Sequence, residues 1–261
     1  MPKGAPDMSF DRREKILNLL RDKGVVKLKE LEVLFPQVSS MTLRRDLEYF
    51  ENVGEAVRIR GGARYIKMLD AGQEDVYALR AIKNPEAKTK IGKLAAKYIE
   101  TGRSIFLDSG TTGMMLARQI PDLDLSILTS APNVALEVSK RYKPNVTLIG
   151  GLINRSTLSV SGPQSLDFIA HLNFDFAFMV ASAFSQENGC TCGNYSECEL
   201  KRNIIAKAKK TIMLVDASKF GKSMPFTFAT LDQIDLLITD ERPSDEIMEL
   251  ASSSGVTVLW E

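Results

Sequence analysis

Apolar residues in the first part of the chain recur at helical spacing, in segments that are too short for long helices. Residues 9–23 predict one helix, which ends at Gly24. A second, shorter helix is predicted over Leu28–Phe35, because Pro36 cannot continue it. Helices of this length bury one face against neighbouring helices.

A third helix is predicted to begin after Ser39. The Ser39 hydroxyl can accept a hydrogen bond from a backbone N–H of the first turn, which makes it a good N-cap. Leu43, Leu47 and Phe50 then fall at i, i+4 and i+7 and form one apolar stripe. Three short helices, with a tight turn before the last, predict a helix-turn-helix.

Residues Ala56–Ala63 alternate apolar and basic side chains and predict a short hairpin that ends at Gly61-Gly62. Such a hairpin would be a wing beside the three helices. Its two arginines, Arg58 and Arg60, are expected to reach a DNA backbone.

From Asn84 onward, near-continuous apolar runs alternate with helical patterns. Helices are predicted over residues 86–101, 112–120, 132–141, 163–172, 197–209 and 244–253. Strands are predicted at Ser104–Leu107, Leu125–Leu128, Val146–Ile149, Phe174–Val180, Thr211–Val215, Leu236–Ile238 and Val256–Leu259. This alternation predicts a Rossmann-like α/β fold, an open and mostly parallel sheet with helices on both faces. The predicted organisation is a winged helix-turn-helix domain (residues 1–65), a linker (66–83) and an effector-sensing α/β domain (84–261).

Composition and charge change this interpretation only a little. The net charge of the chain is +1, but residues 1–65 hold 13 Lys/Arg against 10 Asp/Glu, a net of +3. No apolar run reaches the ~18–20 residues that span a bilayer, and the N-terminus lacks the apolar core of a secretory signal. With three cysteines only, we expect a cytoplasmic protein without a disulfide framework and without a membrane partner.

The leading end of the third helix is rich in groups that bind DNA. In a helix-turn-helix this end enters the major groove, where hydroxyls and guanidiniums bond phosphates and base edges. The candidate DNA-contacting residues are Ser39, Ser40, Thr42, Arg44 and Arg45, with Arg58 and Arg60 of the wing. The expected partner is therefore a double-stranded DNA operator. The alternative is a surface helix on which Arg44 or Arg45 pairs with Glu48.

The same segment resembles the DeoR-type bacterial transcriptional regulators. The resemblance rests on Ser39, Thr42-Leu43-Arg44-Arg45-Asp46-Leu47, Phe50-Glu51, Gly54, Arg58 and Gly61-Gly62-Ala63. Arg60 departs from the family, which usually carries His before the Gly-Gly-Ala. The resemblance implies a regulator of carbohydrate-metabolism genes, expected to be a repressor. We also expect a homo-oligomer, because one winged module buries too little DNA surface for tight specific binding.

Polar residues follow several predicted strands at their carboxyl ends, where open α/β sheets bind ligands. The richest segment is Asp108-Ser109-Gly110-Thr111-Thr112-Gly113, through which a strand runs straight into a helix. Backbone N–H groups at that helix start and three hydroxyls suit a phosphate. The segment is neither a Walker loop nor a GxGxxG fingerprint, and we expect no cofactor. Simple capping of a strand-to-helix turn would explain the pattern equally well.

The second domain also resembles the sensor domain of the same regulator family. The resemblance rests on Phe106 to Thr112, Gly150-Gly151, Gly162, Asp175, Phe178, Glu197, Lys201-Arg202 and Asp216 to Phe220, with Arg80, Asn84 and Lys88 upstream. That domain is similar in fold to ribose-5-phosphate isomerase and typically senses a phosphorylated sugar. The resemblance implies that Asp108 to Thr112 hold the phosphate, that Lys201 and Lys219 supply positive charge, and that Asp216 lines the pocket. The alternatives are a surface Glu197–Lys201 pair and a Lys219 that lies along the sheet edge.

Two other kinds of chemistry are less well supported. Cys190, Cys192 and Cys198 contain no CxxC pair, and His171 is the only histidine, so we expect neither a metal site nor a catalytic triad. The rival class is a sugar-phosphate isomerase-like enzyme with an accessory N-terminal helical domain, since a carboxylate beside a lysine can isomerise an aldose. A helix-turn-helix in the same chain favours the regulator, because DNA binding gives effector binding a use without turnover.

Overall fold

A computed structural model describes residues 8–52, 55–65 and 76–261. Gly54 of the family signature and residues 66–75 of the predicted linker lie outside the described residues. The chain separates into two compact units, Met1–Ala71 and Gly72–Glu261.

The first unit is a winged helix-turn-helix. Its elements are α1 (Met8–Lys23), β1 (Val25–Lys27), α2 (Leu28–Leu34), α3 (Ser40–Asn52), β2 (Ala56–Ile59) and β3 (Gly62–Tyr65). The strands form an antiparallel sheet in the order β1-β3-β2. The predicted hairpin is present, but it turns at Arg60 and Gly61, and Gly62 already begins the return strand. β1 is too short to show a periodic pattern in the sequence.

The predicted apolar stripe of α3 is confirmed. Leu43, Leu47 and Phe50 are buried and pack in one cluster with Ile16 of α1 and Leu31 of α2. Burying each of these side chains stabilises the folded protein by about 1.5–3 kcal/mol. The cluster therefore fixes which side of α3 faces the core and leaves the other side open.

At Gly62 the two strands β1 and β3 leave no room for a side chain. A Cβ on Gly62 would lie 2.1 Å from the backbone oxygen of Val26. A larger residue would push the two strands apart, so this wing requires glycine at that position. The preceding Gly61 has a φ of +82°, a left-handed conformation that glycine adopts at no steric cost.

The second unit is an α/β domain, as predicted. Its helices are α4 (Tyr77–Ile82), α5 (Pro85–Ala96), α6 (Thr111–Gln119), α7 (Pro132–Val138), α8 (Pro163–Ile169), α9 (Tyr195–Lys207) and α10 (Asp245–Ser253). Its strands are β4 (Ser104–Leu107), β5 (Ser126–Thr129), β6 (Asn145–Leu148), β7 (Leu152–Asn154), β8 (Ser159–Ser161), β9 (Phe174–Val180), β10 (Ala183–Ser185), β11 (Gly189–Cys192), β12 (Ala208–Leu214), β13 (Phe226–Ala229), β14 (Leu236–Ile238) and β15 (Thr257–Leu259).

Within the described part of this unit, the seven predicted strands form one parallel sheet in the order β15-β14-β12-β9-β4-β5-β6. Alternate residues of β4 point to opposite faces, so that Phe106 packs in one apolar cluster and Ile105 and Leu107 in another. Both faces are thus buried, which explains the near-continuous apolar runs in the sequence. Two small antiparallel sheets, β7-β8 and β10-β11-β13, accompany the central sheet.

Part of the predicted linker is helical. α4 occupies residues 77–82, and its Leu79 is 1% exposed. The backbone N–H of Tyr77 donates to the oxygen of Ser156 at 2.6 Å, which ties the start of α4 to the turn between β7 and β8. α4 therefore packs as part of the second unit.

Candidate functional site

The start of α3 is capped as the sequence predicts. The Ser39 hydroxyl accepts from the backbone N–H of Thr42 at 3.2 Å and lies 2.9 Å from the Thr42 hydroxyl. The Ser40 hydroxyl donates to Glu32 of α2 at 2.6 Å. These contacts fix the first turn of α3 against α2.

Arg44 and Arg45 are exposed on the open side of α3. The alternative interpretation pairs one of them with Glu48, but no ion pair involving either arginine is found in the described part of the chain. Both guanidiniums are therefore presented to solvent, and neither is neutralised by a carboxylate of the described residues.

The wing lies beside this side of α3. A cleft of about 440 Å³ separates them, with Arg44 on one wall and Arg58 and Gly61 on the other. Arg58 is half exposed, and its Nε donates to Glu51 of α3 at 2.6 Å. The ion pair holds the wing arginine at a fixed place, while Arg60 is exposed at the hairpin turn.

Asp46 anchors α3 to α1 through ion pairs that were not predicted from the sequence. Its carboxylate is 1% exposed and accepts from Arg12 Nε at 2.5 Å and from Arg13 Nε at 2.9 Å. Both arginines belong to α1, so this buried carboxylate ties α1 to the middle of α3. A signal was available, because Asp46 is a charged residue at the edge of the apolar stripe that Leu43, Leu47 and Phe50 form.

In the second unit, Asp108 joins three elements at the carboxyl end of β4. Its carboxylate accepts from the backbone N–H groups of Ser109 at 2.8 Å and of Val180 at 2.9 Å. It also accepts from the ammonium of Lys201, which lies on α9. Asp108 is 1% exposed. The carboxylate is consequently held by three protein donors.

Lys201 is equally enclosed. Besides Asp108, its Nζ donates to the backbone oxygen of Val180 at 2.8 Å and lies 3.7 Å from Glu197. Burial would lower the pKa of Lys201, but the carboxylates of Asp108 and Glu197 outweigh burial and raise it above its ordinary value. Lys201 is therefore charged, and its charge is balanced by protein carboxylates.

Glu197 extends this network toward β8. Its carboxylate accepts from the Ser159 hydroxyl at 3.1 Å and from the Ser109 hydroxyl at 3.4 Å, and Ser159 lies 2.7 Å from the Thr157 hydroxyl. The alternative interpretation made Glu197 a surface partner of Lys201, but Glu197 is only 5% exposed. Ser159 carries no sequence signal for this contact.

The Ser109–Gly113 turn is compact. Gly110 has a φ of +111°, and a Cβ on Gly113 would lie 2.5 Å from the backbone oxygen of Asp108. The two glycines let α6 begin directly on the end of β4. The hydroxyl residues Ser109, Thr111 and Thr112 are each at most 5% exposed. The N-cap Gly110 has no side chain that could satisfy the N–H groups of the first turn.

Asp216 and Lys219 lie after β12, two strands from β4. Asp216 is 2% exposed and accepts from the backbone N–H of Ser218 at 3.2 Å and from the Ser218 hydroxyl. The neighbouring N–H of Ala217 donates to Asp240, at the end of β14, at 2.8 Å. The predicted effector residues thus all lie along the carboxyl edge of the sheet.

Lys88 of α5 faces the same edge. It is 3% exposed, and its Nζ donates to the backbone oxygens of Arg80, at 2.6 Å, and of Lys83. Burial lowers the pKa of Lys88 to about 8; Asp216 opposes this shift, while Lys219, Arg80 and Lys83 add to it. A buried ammonium therefore lies between the end of α4 and the groups that follow β12.

The three cysteines are buried free thiols. Burial raises the pKa of Cys190 to about 12, which makes its thiolate inaccessible near neutral pH. Across the described residues, no group of three or more metal-ligating side chains is assembled. None of the helices described is both long and apolar enough to cross a bilayer.

Comparisons with known proteins cover both units. A family model described as the DeoR C terminal sensor domain matches residues 83–241, and one described as the DeoR-like helix-turn-helix domain matches residues 12–68. The HTH-type transcriptional regulator GlpR of Haloferax volcanii is 33% identical over 250 residues, which cover 95% of this chain and 96% of that protein. The HTH-type transcriptional repressor GlcR of Bacillus subtilis is 30% identical over 249 residues, or 95% of each chain. Among solved structures, ribose 5-phosphate isomerase A of Methanocaldococcus jannaschii matches 53% of this chain and 55% of its own, with a TM-score of 0.40 and 17% identity.

Proposed function

Since the chain belongs to the DeoR family of helix-turn-helix transcriptional regulators, we propose that it represses carbohydrate-metabolism genes and is released from its operator by a phosphorylated sugar. It is a DNA-binding regulator by family, and the isomerase-like enzyme is not favoured. Repression is supported by the relative that is named a transcriptional repressor. A regulator of chromosomal genes acts in the cytoplasm.

The observation that carries the effector proposal is the start of α6. Gly110 leaves the N–H groups of the first turn without a side-chain acceptor, and the positive end of the helix dipole faces the edge where α/β sheets bind ligands. The hydroxyls of Thr111 and Thr112 add donors around the same point, and the Ser109 hydroxyl would join them by leaving Glu197. A dianionic phosphate fits this set of donors.

The other predicted residues take different parts in this proposal. Lys219 supplies a charge-assisted bond to the phosphate, and Asp216 accepts from a sugar hydroxyl. Lys201 acts through Asp108, because its ammonium is already held by that carboxylate and by Val180. The Asp108–Lys201 pair thereby fixes the Ser109–Gly113 turn in its binding conformation.

Calorimetry with sugar phosphates and their unphosphorylated counterparts tests the effector site. The phosphorylated members should bind far more tightly, and Thr111→Val or Lys219→Ala should remove most of that difference. Lys93→Ala is the matched control, because Lys93 is an exposed lysine on α5. Equal binding of free sugars would reject the phosphate role of this turn and leave the DNA-binding half of the proposal intact.

For the DNA-binding half, Ser39, Ser40, Thr42, Arg44 and Arg45 of α3 would contact the major groove, and Arg58 and Arg60 of the wing would contact the backbone. The support is the pair of exposed guanidiniums on α3, which have no carboxylate partner in the part of the chain that the structure describes. The fixed position of Arg58 beside the same cleft adds to it. The partner is a double-stranded DNA operator.

A homo-oligomer completes the proposal. One winged module reads too short a site for tight specific binding, whereas paired modules read half-sites spaced by whole helical turns. The second unit would carry the contacts between copies. Light scattering should give at least twice the 28.9 kDa mass of one chain. A monomer at working concentration, both with and without operator, would contradict this part.

A further inference from the structure

Met41 lies on the outward side of the first turn of α3. Its side chain is 62% exposed, whereas the opposite side of this helix packs in the apolar core of the first unit. Met41, Arg45 and Glu48 are spaced at i, i+4 and i+7, so they follow one another along one face of the helix, and all three are exposed. This outward line of three residues faces directly away from the core.

Arg44 lies to one side of the outward line. It lines the cleft between α3 and the wing, together with Glu51 and Arg58. That side of α3 therefore adjoins the wing, and the outward line forms the middle of the face that α3 presents to solvent.

The hydroxyls around Met41 are held close to the protein. The Ser39 and Thr42 hydroxyls lie 2.9 Å apart, and the Ser40 hydroxyl donates to Glu32 at 2.6 Å. These side chains are short and end near the helix backbone. The side chain of Met41 is long and unbranched, with three rotatable bonds that let it adapt to an irregular surface. Met41 therefore reaches farther outward than the hydroxyl residues beside it.

The chemistry of the outward line matches base edges better than phosphates. A surface that follows the DNA backbone gains its affinity from cations, yet Met41 is apolar and Glu48 is anionic. Phosphates repel a carboxylate, but in the major groove a carboxylate can accept from the amino group of cytosine. In the same groove a guanidinium such as that of Arg45 can bond guanine, and an apolar side chain can contact the C5-methyl group of thymine. Each member of the line thus has a counterpart among the base edges.

The position of Met41 within α3 distinguishes it from other exposed apolar residues, which are common on protein surfaces. Residues 12–68 match a DNA-binding helix-turn-helix family model, and the helix that enters the groove contacts base edges with its N-terminal residues. From Met41 to Arg45 the helix rises about 6 Å. This rise spans about two base-pair steps of about 3.4 Å. A base that Met41 contacts therefore lies within about two base pairs of one that Arg45 contacts.

We propose that Met41 is a specificity-determining residue, which selects thymine by packing against its C5-methyl group in the major groove. The inference rests on the DNA-binding half of the proposed function and adds a base preference to it. Among the four bases, thymine is the one that presents a methyl group in this groove. The contact involves no charge, so it contributes specificity without contributing to the salt dependence of binding.

The test uses the full-length protein and an operator selected from random duplexes, in which the thymines are replaced by uracil one at a time. Uracil pairs as thymine does and lacks only the C5-methyl group. With the parent protein, uracil at one position of the half-site should weaken binding by about 4-fold, which corresponds to the ~0.8 kcal/mol gained by burying one carbon group of this size. Mobility-shift titrations measure this ratio.

Met41→Ala should bind the thymine and uracil operators equally, with the same salt dependence as the parent. Met41→Leu remains apolar and should keep a preference for thymine, whereas Met41→Gln has a similar length but a polar end and should lose it. Leu136→Ala is the control, because it removes a comparably exposed apolar side chain, 72% exposed, from α7 of the second unit. It should discriminate thymine from uracil as the parent does. The uracil scan of the parent decides the question even without a variant.

Two results would overturn the inference while the proposed function stands. One is a parent protein that binds every uracil-substituted operator as tightly as the unsubstituted one. The other is a Met41→Ala protein that keeps the full preference for thymine, since another group would then contact the methyl. A parent protein that selects no duplex at all would instead reject the DNA-binding half of the proposed function, and the role of Met41 with it.

Discussion

The ammonium of Lys201 donates to the carboxylate of Asp108, and this ion pair connects α9 to the end of β4 in the interior of the protein. Removing one partner would leave the other charged and buried. We expect Asp108→Asn or Lys201→Met to lower the free energy of unfolding by about 3–5 kcal/mol. Urea denaturation followed by the fluorescence of Trp260, the only tryptophan, reports on this unit.

The double variant Asp108→Asn/Lys201→Met should lose clearly less stability than the sum of the two single losses, because neither member of this pair is then left charged without the other. Glu197 keeps the hydroxyl donors Ser159 and Ser109 in every variant. The exposed pair Arg202–Glu199 is the control, and Glu199→Gln should cost less than about 1 kcal/mol. Additive losses in the double variant would show that the two groups do not act as a pair.

Asp46 gives a second prediction, for the DNA-binding unit. Asp46→Asn keeps the size of the side chain but removes the charge that holds Arg12 and Arg13. Because both arginines are partly exposed, we expect a loss of about 2–3 kcal/mol, below the range for fully buried pairs. Hydrogen exchange of the α1 and α3 amides should become faster. Glu48→Gln, an exposed change on the same helix, should leave this exchange unchanged, and a similar effect of both substitutions would contradict the anchoring role of Asp46.

The sequence predicted the architecture because the strongest patterns in it are those of the buried elements. The inner strands of the central sheet are buried on both faces and are therefore apolar runs, whereas the edge strand β6 is largely exposed. All seven predicted strands are confirmed. The strands of the small sheets escaped prediction, since segments such as Gly189–Cys192 are three or four residues long and rich in small polar side chains. The helix α4 was hidden inside a linker for the same reason: six residues show less than two turns of periodicity.

The sequence located the candidate site, but it did not predict which of its residues contact one another. Parallel strands bring their carboxyl ends to one edge, which is why Asp108 and Asp216 could be placed together. No pattern in the neighbouring sequence shows that Lys201, 93 positions away, forms an ion pair with Asp108. The contact of Lys88 with the end of α4 depends on a helix-to-helix turn that has no pattern of its own. The roles of these residues in effector binding stay predictions.

The buried position of Lys88 predicts a pH dependence of stability. Burial lowers the pKa of Lys88 from 10.5 to about 8 in the folded protein. Between these values the unfolded chain binds more protons than the native one, so this residue makes the free energy of unfolding rise with pH. Lys88→Met lacks this contribution. In urea denaturation, the free energy of unfolding of the parent minus that of Lys88→Met should therefore increase from pH 8 to pH 10. The same difference measured with Lys93→Met should not change with pH. A difference that falls with pH would contradict a lowered pKa.

The last prediction concerns Arg44 and Arg45, the exposed guanidiniums on α3. If either reads a base edge, its replacement by Ala should weaken binding to an operator selected from random duplexes by about 1–3 kcal/mol and relax the preference at one position. If it contacts only phosphate, affinity should fall evenly across sequences and the salt dependence should become shallower. Lys93→Ala removes the same charge from the second unit and should leave binding unchanged, which separates a local contact from an effect of net charge. Mobility-shift assays at two salt concentrations distinguish these outcomes. Variants at both arginines that bind like the parent would mean that α3 is not the helix that enters the groove. Arg44 and Arg45 lie on the side of α3 that remains exposed when its apolar stripe is buried.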